Sequence, residues 1–375
     1  MKILLTGGGT GGHFYPMVAV AQHIRKISEE HKLLQPEMFF VSDQPYDEDL
    51  LFRNDITFKK LSTGKLRLYF SIQNFFDIFK TINAVIKALF MMWSIYPDVV
   101  FTNGGYGAFP MLFAAKFFRI PVVVHVTDTV PGKVALWASK FAKKVSIGFP
   151  ETADYLDKSK TAYTGNPIRR GLTTPLEQGA HEFLKLEKET PTILILGGSQ
   201  GSQIINDIIV DILPNILDKY QIIHQTGKNN FEEVVSRANM LIQDSSYKKR
   251  YKPFKYLDFL ALKMAVGASD LIISRAGGSI SEIAAWGIPS IVIPINSSAG
   301  DHQRKNAYSY ARTGATIVVE ENNLTPHLLE AEIVNLMNNE EKRNQMAEAT
   351  KKFAKLDAGE KIANGILEIA LGHEK

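Results

Sequence analysis

The sequence predicts an α/β protein made of two similar halves, each a parallel sheet with helices on both faces. Two observations carry this prediction. Short runs rich in Val, Ile and Leu alternate with helical patterns, which is how strands buried on both faces read. A strand followed by a glycine loop and then a helix also occurs twice, at Thr6–His13 and again at Gly197–Gly201. In doubly wound folds, ligands meet the chain at the carboxyl ends of the strands, beside such loops. With 375 residues the chain has room for two full cores.

The first half opens on Ile3-Leu4-Leu5, then Thr6-Gly7-Gly8-Gly9-Thr10-Gly11-Gly12-His13, then a helical pattern through Met17, Val18, Val20, Ala21 and Ile24. Gly7, Gly9 and Gly12 formally satisfy G-x-G-x-x-G, a spacing many turns share. Glycines here let backbone amides approach an anionic or sugar ligand, and Pro16 suits the first turn of a helix. Strands are expected at Lys2–Thr6, Met38–Ser42, Asp98–Phe101, Pro121–Val126, Val145–Ile147 and near Tyr163. Helices are expected at Asn74–Trp93 and Met111–Phe118. The turn cluster Thr164-Gly165-Asn166-Pro167 marks the expected domain boundary. The pattern then restarts with a strand at Thr192–Leu196, the loop Gly197-Gly198-Ser199-Gln200-Gly201 and a helix from Ile204. Further strands are expected at Gln221–Gln225, Leu271–Ser274, Ser290–Pro294 and Thr316–Val319. Asn338–Lys355 reads as a solvated helix, and a last helix covers Glu360–Leu371.

The composition, 45% hydrophobic and 22% charged, is that of an ordinary globular protein. Cysteine is absent, which excludes disulfides, thiolate catalysis and zinc-thiolate sites. Lys2 leads straight into a short strand, unlike a signal peptide, and no run approaches the ~20 apolar residues of a membrane span. A cytoplasmic enzyme is the expectation. The net charge is only +4, yet between Lys59 and Lys144 twelve Lys and Arg face three acids, Asp77, Asp98 and Asp128. Such a patch implies an anionic partner, either nucleic acid or a membrane surface.

Several segments could carry chemistry. Ser274-Arg275-Ala276-Gly277-Gly278-Ser279-Ile280-Ser281-Glu282 joins a buried strand to a helix, so the amides of Gly278, Ser279 and Ile280 would offer a diphosphate site. Glu282, about a turn in, could accept hydrogen bonds from a ribose diol, or simply complement the helix dipole. Gly197–Gly201 adds amides with Ser199 and Gln200 as neutral donors, or is a plain tight turn. Asp301–Asn306 could read sugar hydroxyls, or be a helix start capped by Asp301. His13 could be a general base, since imidazole titrates near neutrality, or a loop histidine bonding a carbonyl. No carboxylates or histidines stand at metal-ligand spacing, so neither a cofactor nor a bound metal is expected.

Assembled in order, these residues resemble the MurG family, the peptidoglycan N-acetylglucosaminyltransferases. The likeness runs nearly end to end, through Gly8–His13, Gly104-Gly105-Tyr106, Gly165-Asn166-Pro167-Ile168-Arg169 and Gly197–Gly201. It continues through His224-Gln225-Thr226-Gly227-Lys228, Ser274–Gly278 with Ser281-Glu282-Ile283, and Gln303 with Asn306-Ala307. The resemblance implies a GT-B fold, two Rossmann-like domains with parallel sheets facing across a cleft. The expected domains are 1–164 for the acceptor and 165–349 for UDP-GlcNAc, with a helix of about 350–375 packing back on the first. It also implies transfer of GlcNAc from UDP-GlcNAc to the 4-hydroxyl of the muramyl sugar of lipid I, with inversion, giving lipid II for cell-wall synthesis. By the match, Arg169, Ser199, Glu282 and Gln303 bind UDP-GlcNAc, and the uracil lies near Tyr256–Leu260. Thr10, Gly11, Gly12, Asp128, Gly277, Gly278 and Ser279 join the donor side, while Gly104, Gly105 and Tyr106 face the acceptor. His13 matches the residue usually proposed as base. Where the family carries His-Glu-Gln-Asn, this chain has His125-Val126-Thr127-Asp128, so Asp128 could compete with His13 for that role.

Because the implied acceptor is a lipid, the basic stretch and its aromatics, Phe75, Phe79, Trp93 and Phe117 among them, suggest peripheral attachment to the cytoplasmic face of an anionic membrane, with no nucleic acid as partner. Two other functions fit parts of the pattern. One is a related nucleotide-sugar transferase making another glycolipid. The other is an NAD-binding protein with Asp43 on the ribose, which leaves the second glycine loop and Ser274–Glu282 unexplained.

Overall fold

A computed structural model describes residues 1–8, 11–64, 72–198 and 201–372, and of residues 72–76, 78 and 299 only the backbone. It divides into two compact units, Met1–Arg170 with Lys355–Lys375, and Gly171–Ala354. The first holds β1 (Lys2–Gly7), β2 (Glu37–Ser42), β3 (Ile56–Lys60), β4 (Val99–Gly104), β5 (Val122–Val126), β6 (Lys144–Ile147) and β7 (Thr161–Tyr163). They form one sheet in the order β3-β2-β1-β4-β5-β6-β7, with every pairing parallel. The second holds β8 (Thr192–Leu196), β9 (Gln221–Gln225), β10 (Tyr251–Phe254), β11 (Leu271–Ser274), β12 (Ser290–Val292) and β13 (Thr316–Val318). Its order is β10-β9-β8-β11-β12-β13, again parallel throughout.

The strand residues dictate this layering. Ile3 and Leu5 of β1 enter one core with Val18 and Ile24, while Leu4 enters another with Met111 and Leu112 on the opposite face. Alternation with apolar residues on both sides requires helices on both sides, and a parallel sheet supplies them through its crossovers. The last helix, Ala358–Leu371, lies on the Gly11–Glu30 helix and adds Ile362, Ile366 and Leu367 to the first of these cores. The first unit extends through the Thr164–Pro167 turn to Arg170 because that turn is tied into it: Asn166 bonds His125, and Gly165 (φ +80°) closes against the Lys355 side chain.

Both sheets reverse direction of winding beside their first strand, between β1 and β4 and between β8 and β11. Such a switch point opens a crevice at the carboxyl ends of the strands, where open α/β sheets bind ligands.

Two strands were not foreseen, β3 and β10. Each occupies the corresponding outer edge of its sheet, where Lys59 and Lys60 or Pro253 interrupt the apolar pattern that marks an interior strand. A second difference concerns Pro16, which lies beyond the first turn because the helix already starts at Gly11.

The helix Ile72–Ile95 buries Ala84, Ala88, Met92 and Ile95. Its other face exposes Phe79, Ile82, Ile86, Phe90 and Trp93, the last two at 70%. That spacing is one helical stripe. The neighbouring helix Phe109–Phe117 exposes Phe113 and Phe117, with Lys87, Lys116 and Arg119 in solvent on or beside the same helices. Among the described residues no helix is long and apolar enough to cross a membrane.

Candidate active site

At the first switch point the backbones following β1 and β4 pass so closely that only glycine fits. A Cβ on Gly105 (φ +83°) would lie 2.5 Å from the Gly8 carbonyl oxygen. Gly104 pairs with Gly7 across a break in register, and its own φ is +79°. His13 sits in the first turn of the Gly11–Glu30 helix, half-buried, and its carbonyl accepts a hydrogen bond from Asn103 Nδ2 at 3.0 Å. Asn103 belongs to β4, so this bond ties the two sides of the crevice together. Gly11 is buried and Gly12 exposed beside His13. Tyr106 directs its hydroxyl to Asp43 Oδ2 at 3.4 Å, and burial, with the Asp43 charge second, raises the phenol above its ordinary pKa. Thr10 lies outside the described residues.

Asp128 follows β5 in the same unit. Its carbonyl accepts from Thr152 Oγ1 at 2.9 Å, and Thr127 Oγ1 donates to its Oδ2 at 3.4 Å. Behind it, His125 is fully buried between Ser146 Oγ and Asn166 Oδ1, both at 2.9 Å. Asn166 Nδ2 donates to the Thr127 carbonyl at 3.0 Å, which turns its oxygen toward the imidazole. That oxygen needs a donor, so His125 carries its proton on Nε2 and accepts from Ser146 on Nδ1. Burial holds its pKa down to about 4, which keeps it a neutral strut under the Thr127–Asp128 backbone. Arg169 lies in the first unit, its side chain buried and its guanidinium 4.2 Å from the centre of the Tyr15 ring.

At the second switch point, the loop following β8 and the segment following β11 stand side by side. Gly198 (φ +89°) and Gly201 (φ +81°) bend the first loop, with Ser199 outside the described residues. The helix Ser279–Trp286 starts beside Gly277, half-exposed, and Gly278, exposed. The Ile280 amide is used on the Gly277 carbonyl at 3.2 Å, leaving the first donors at Gly278 and Ser279. The Ser279 hydroxyl donates to the Arg275 carbonyl at 2.9 Å and lies 3.1 Å from Ser274 Oγ, so it shapes the turn. Gln303 accepts the Ile295 amide on Oε1 at 3.1 Å, which points its Nε2 at Gly277. Glu282 stands half-buried in the first turn of that helix.

Two side chains here have roles the sequence did not disclose. Arg275 turns inward, with Nη2 2.6 Å from both Glu321 Oε1 and Ser202 Oγ and Nη1 on the Ile293 carbonyl at 3.1 Å. It therefore braces the second crevice from beneath. Asp301 precedes the His302–Ala311 helix but does not cap it, since φ of +59° turns its carboxylate to Arg304 at 2.9 Å. Among the described residues no three His, Cys, Asp or Glu side chains stand together as a metal site.

Comparison with known proteins matches residues 3–147 to the glycosyltransferase family 28 N-terminal domain and residues 192–362 to the family 28 C-terminal domain. A UDP-N-acetylglucosamine--N-acetylmuramyl-(pentapeptide) pyrophosphoryl-undecaprenol N-acetylglucosamine transferase of Natranaerobius thermophilus is 32% identical over 372 residues, covering 98% of this chain and 99% of the relative. A Clostridium botulinum (Loch Maree strain) protein of the same name is 36% identical over 329 residues, covering 86% and 87%. Among solved structures, Acinetobacter baumannii MurG aligns with a TM-score of 0.72 at 23% identity, over 98% of this chain and 99% of that one.

Proposed function

The chain belongs to glycosyltransferase family 28 and has its GT-B fold, and from that membership and the two switch points we propose that it moves GlcNAc from UDP-GlcNAc to the 4-hydroxyl of the muramyl sugar of lipid I, giving lipid II. The observation that carries this reading is the cradle of the second unit, where Gly277, Gly278, Ser279, Glu282 and Gln303 gather at one strand-to-helix turn. A diphosphate suits the helix N-terminus, which offers oriented N–H groups and a favourable dipole. Glu282 accepts from the ribose diol, Gln303 Nε2 donates to the diphosphate or sugar, and the uracil lies against residues 256–260.

Transfer with inversion is a single displacement. The acceptor oxygen forms its bond to the anomeric carbon as the bond to the β-phosphate oxygen breaks, and UDP leaves with the electron pair. The helix N-terminus and Arg169 stabilise the charge that develops on it. His13 takes the acceptor's proton, with Asp128 as the competing base. Gly104, Gly105 and Tyr106 face the acceptor from the other side of the same crevice as His13. The exposed stripe Phe79–Trp93 with Phe117, flanked by Lys and Arg, supports peripheral attachment to the anionic cytoplasmic face of the membrane.

Radiolabelled UDP-GlcNAc and lipid I analogues test the reading. Label is expected in a disaccharide lipid. Label transferred only to a lipid acceptor lacking the muramyl sugar would instead identify a different glycolipid synthase.

A further inference from the structure

We propose that Gln225 is a positioning residue for the donor nucleotide, tying the glycine loop that follows β8 to the segment around Leu257. The inference deepens the donor-binding reading above and rests on it. Gln225 is the last residue of β9, and its side chain is buried. Its Nε2 donates to the Gly198 carbonyl at 3.2 Å, while its Oε1 accepts the Leu257 amide at 2.9 Å. One carboxamide thus spends both ends on the backbones of two loops far apart in sequence. A carboxamide carries a donor and an acceptor at one end, so a single side chain can make both bonds.

The post from which Gln225 reaches is itself fixed. Fully buried His224 stands 3.0 Å from Asn206 Oδ1 and 2.9 Å from the Tyr251 hydroxyl. Asn206 Nδ2 donates to the Thr226 carbonyl at 3.0 Å, and the Thr226 amide bonds the Phe254 carbonyl at 3.0 Å. The far end of the glycine loop rests on the same backbone, because a Cβ on Gly201 would land on the Thr226 carbonyl oxygen. Gly198, by contrast, has open space where its Cβ would be, so Gln225 holds the end of the loop that faces outward. Next to Leu257, which is buried, Phe259 and Leu260 are exposed. A nucleoside diphosphate needs amides for its phosphates and an apolar face for its base, at a spacing set by the ribose. Gln225 sets that spacing without touching the nucleotide.

The test uses the full chain with UDP, UDP-GlcNAc and the lipid I analogue. Gln225→Glu keeps an acceptor for the Leu257 amide but turns a carboxylate oxygen on the Gly198 carbonyl; Gln225→Met removes both bonds. Each is expected to weaken UDP binding by calorimetry about ten-fold and to raise the donor KM alike. The kcat should hold within about three-fold and the acceptor KM should not move. UDP binding equal to the unsubstituted protein overturns the proposal, as does a fall of kcat together with a rise of both substrates' KM and a loss of thermal stability. Should either variant fail to fold, hydrogen exchange on the unsubstituted chain decides. UDP should slow exchange in residues 197–202 and 255–260 together, and protection of one segment alone overturns the tie. Absence of UDP binding to the unsubstituted protein is a separate result, which removes the donor reading itself.

Discussion

Acid should loosen this protein over a pH range set by its two buried histidines. In the unfolded chain imidazole titrates near 6.5, whereas burial lowers His125 to about 4 and His224 to about 3. Between those values the unfolded state binds protons that the folded state refuses, so stability falls as pH falls below 6.5. The slope approaches about 1.4 kcal/mol per pH unit for each histidine, which integrates to about 2 kcal/mol each between pH 7.5 and 5.0. His125 lies in the first unit and His224 in the second, so each unit should show its own loss. The assay is urea unfolding at pH 7.5, 6.5, 5.5 and 5.0, following the transition of each unit. His23, also lowered by burial, adds a slope of its own to the first unit, so the decisive quantity is a difference. Carboxylates that the fold holds low, such as Glu187 hydrogen-bonded to Arg250, lose their contribution only in a more acid range. His125→Gln should flatten the pH dependence of the first unit by about 2 kcal/mol across this window, and His224→Gln that of the second. If both variants keep the slope of the unsubstituted protein, the buried imidazoles are not its source and the tautomer argument fails with them.

Three further outcomes follow from the site. Glu282→Ala should weaken UDP-GlcNAc binding by about 1–3 kcal/mol, measured by calorimetry, as expected for loss of a charge-assisted hydrogen bond to the ribose. His13→Ala should lower kcat roughly 10²–10⁴-fold with donor binding little changed; if Asp128→Asn is the crippling change and His13→Ala is mild, the two exchange roles. Replacing Phe90, Trp93 and Phe117 with Ser should abolish salt-sensitive binding to anionic liposomes in a flotation assay, and equal binding by the unsubstituted protein to neutral vesicles would refute an electrostatic component.

What the sequence disclosed and what it hid follow one physical division. β1 and β8 were legible because a buried parallel strand is a run of apolar residues, and the glycine loops beyond them because backbone approach demands glycine. β3 and β10 were not, since an edge strand is paired on one side only and tolerates Lys and Pro. The Ser274–Glu282 segment read as an anion cradle, yet Ile280's amide is spent inside the turn and Arg275 braces it from within. Such inward roles depend on partners such as Ser202 and Glu321, which no local pattern brings together. The same holds for His125 and His224, which burial keeps neutral and whose ring orientation is held by Asn166 and Asn206 standing opposite. Gln225 was legible only as part of a motif.

The return of the last helix has a consequence for biosynthesis. Ile362, Ile366 and Leu367 belong to the same core as Ile3 and Leu5, so the first unit lacks part of its interior until residues 358–371 leave the ribosome. Gly171–Ala354 is continuous and has all of its core residues earlier. Completion therefore runs opposite to synthesis: the segment made first is finished last. A nascent chain halted before residue 358 carries Val18, Ile24 and their neighbours partly uncovered, the kind of surface that chaperones and proteases recognise.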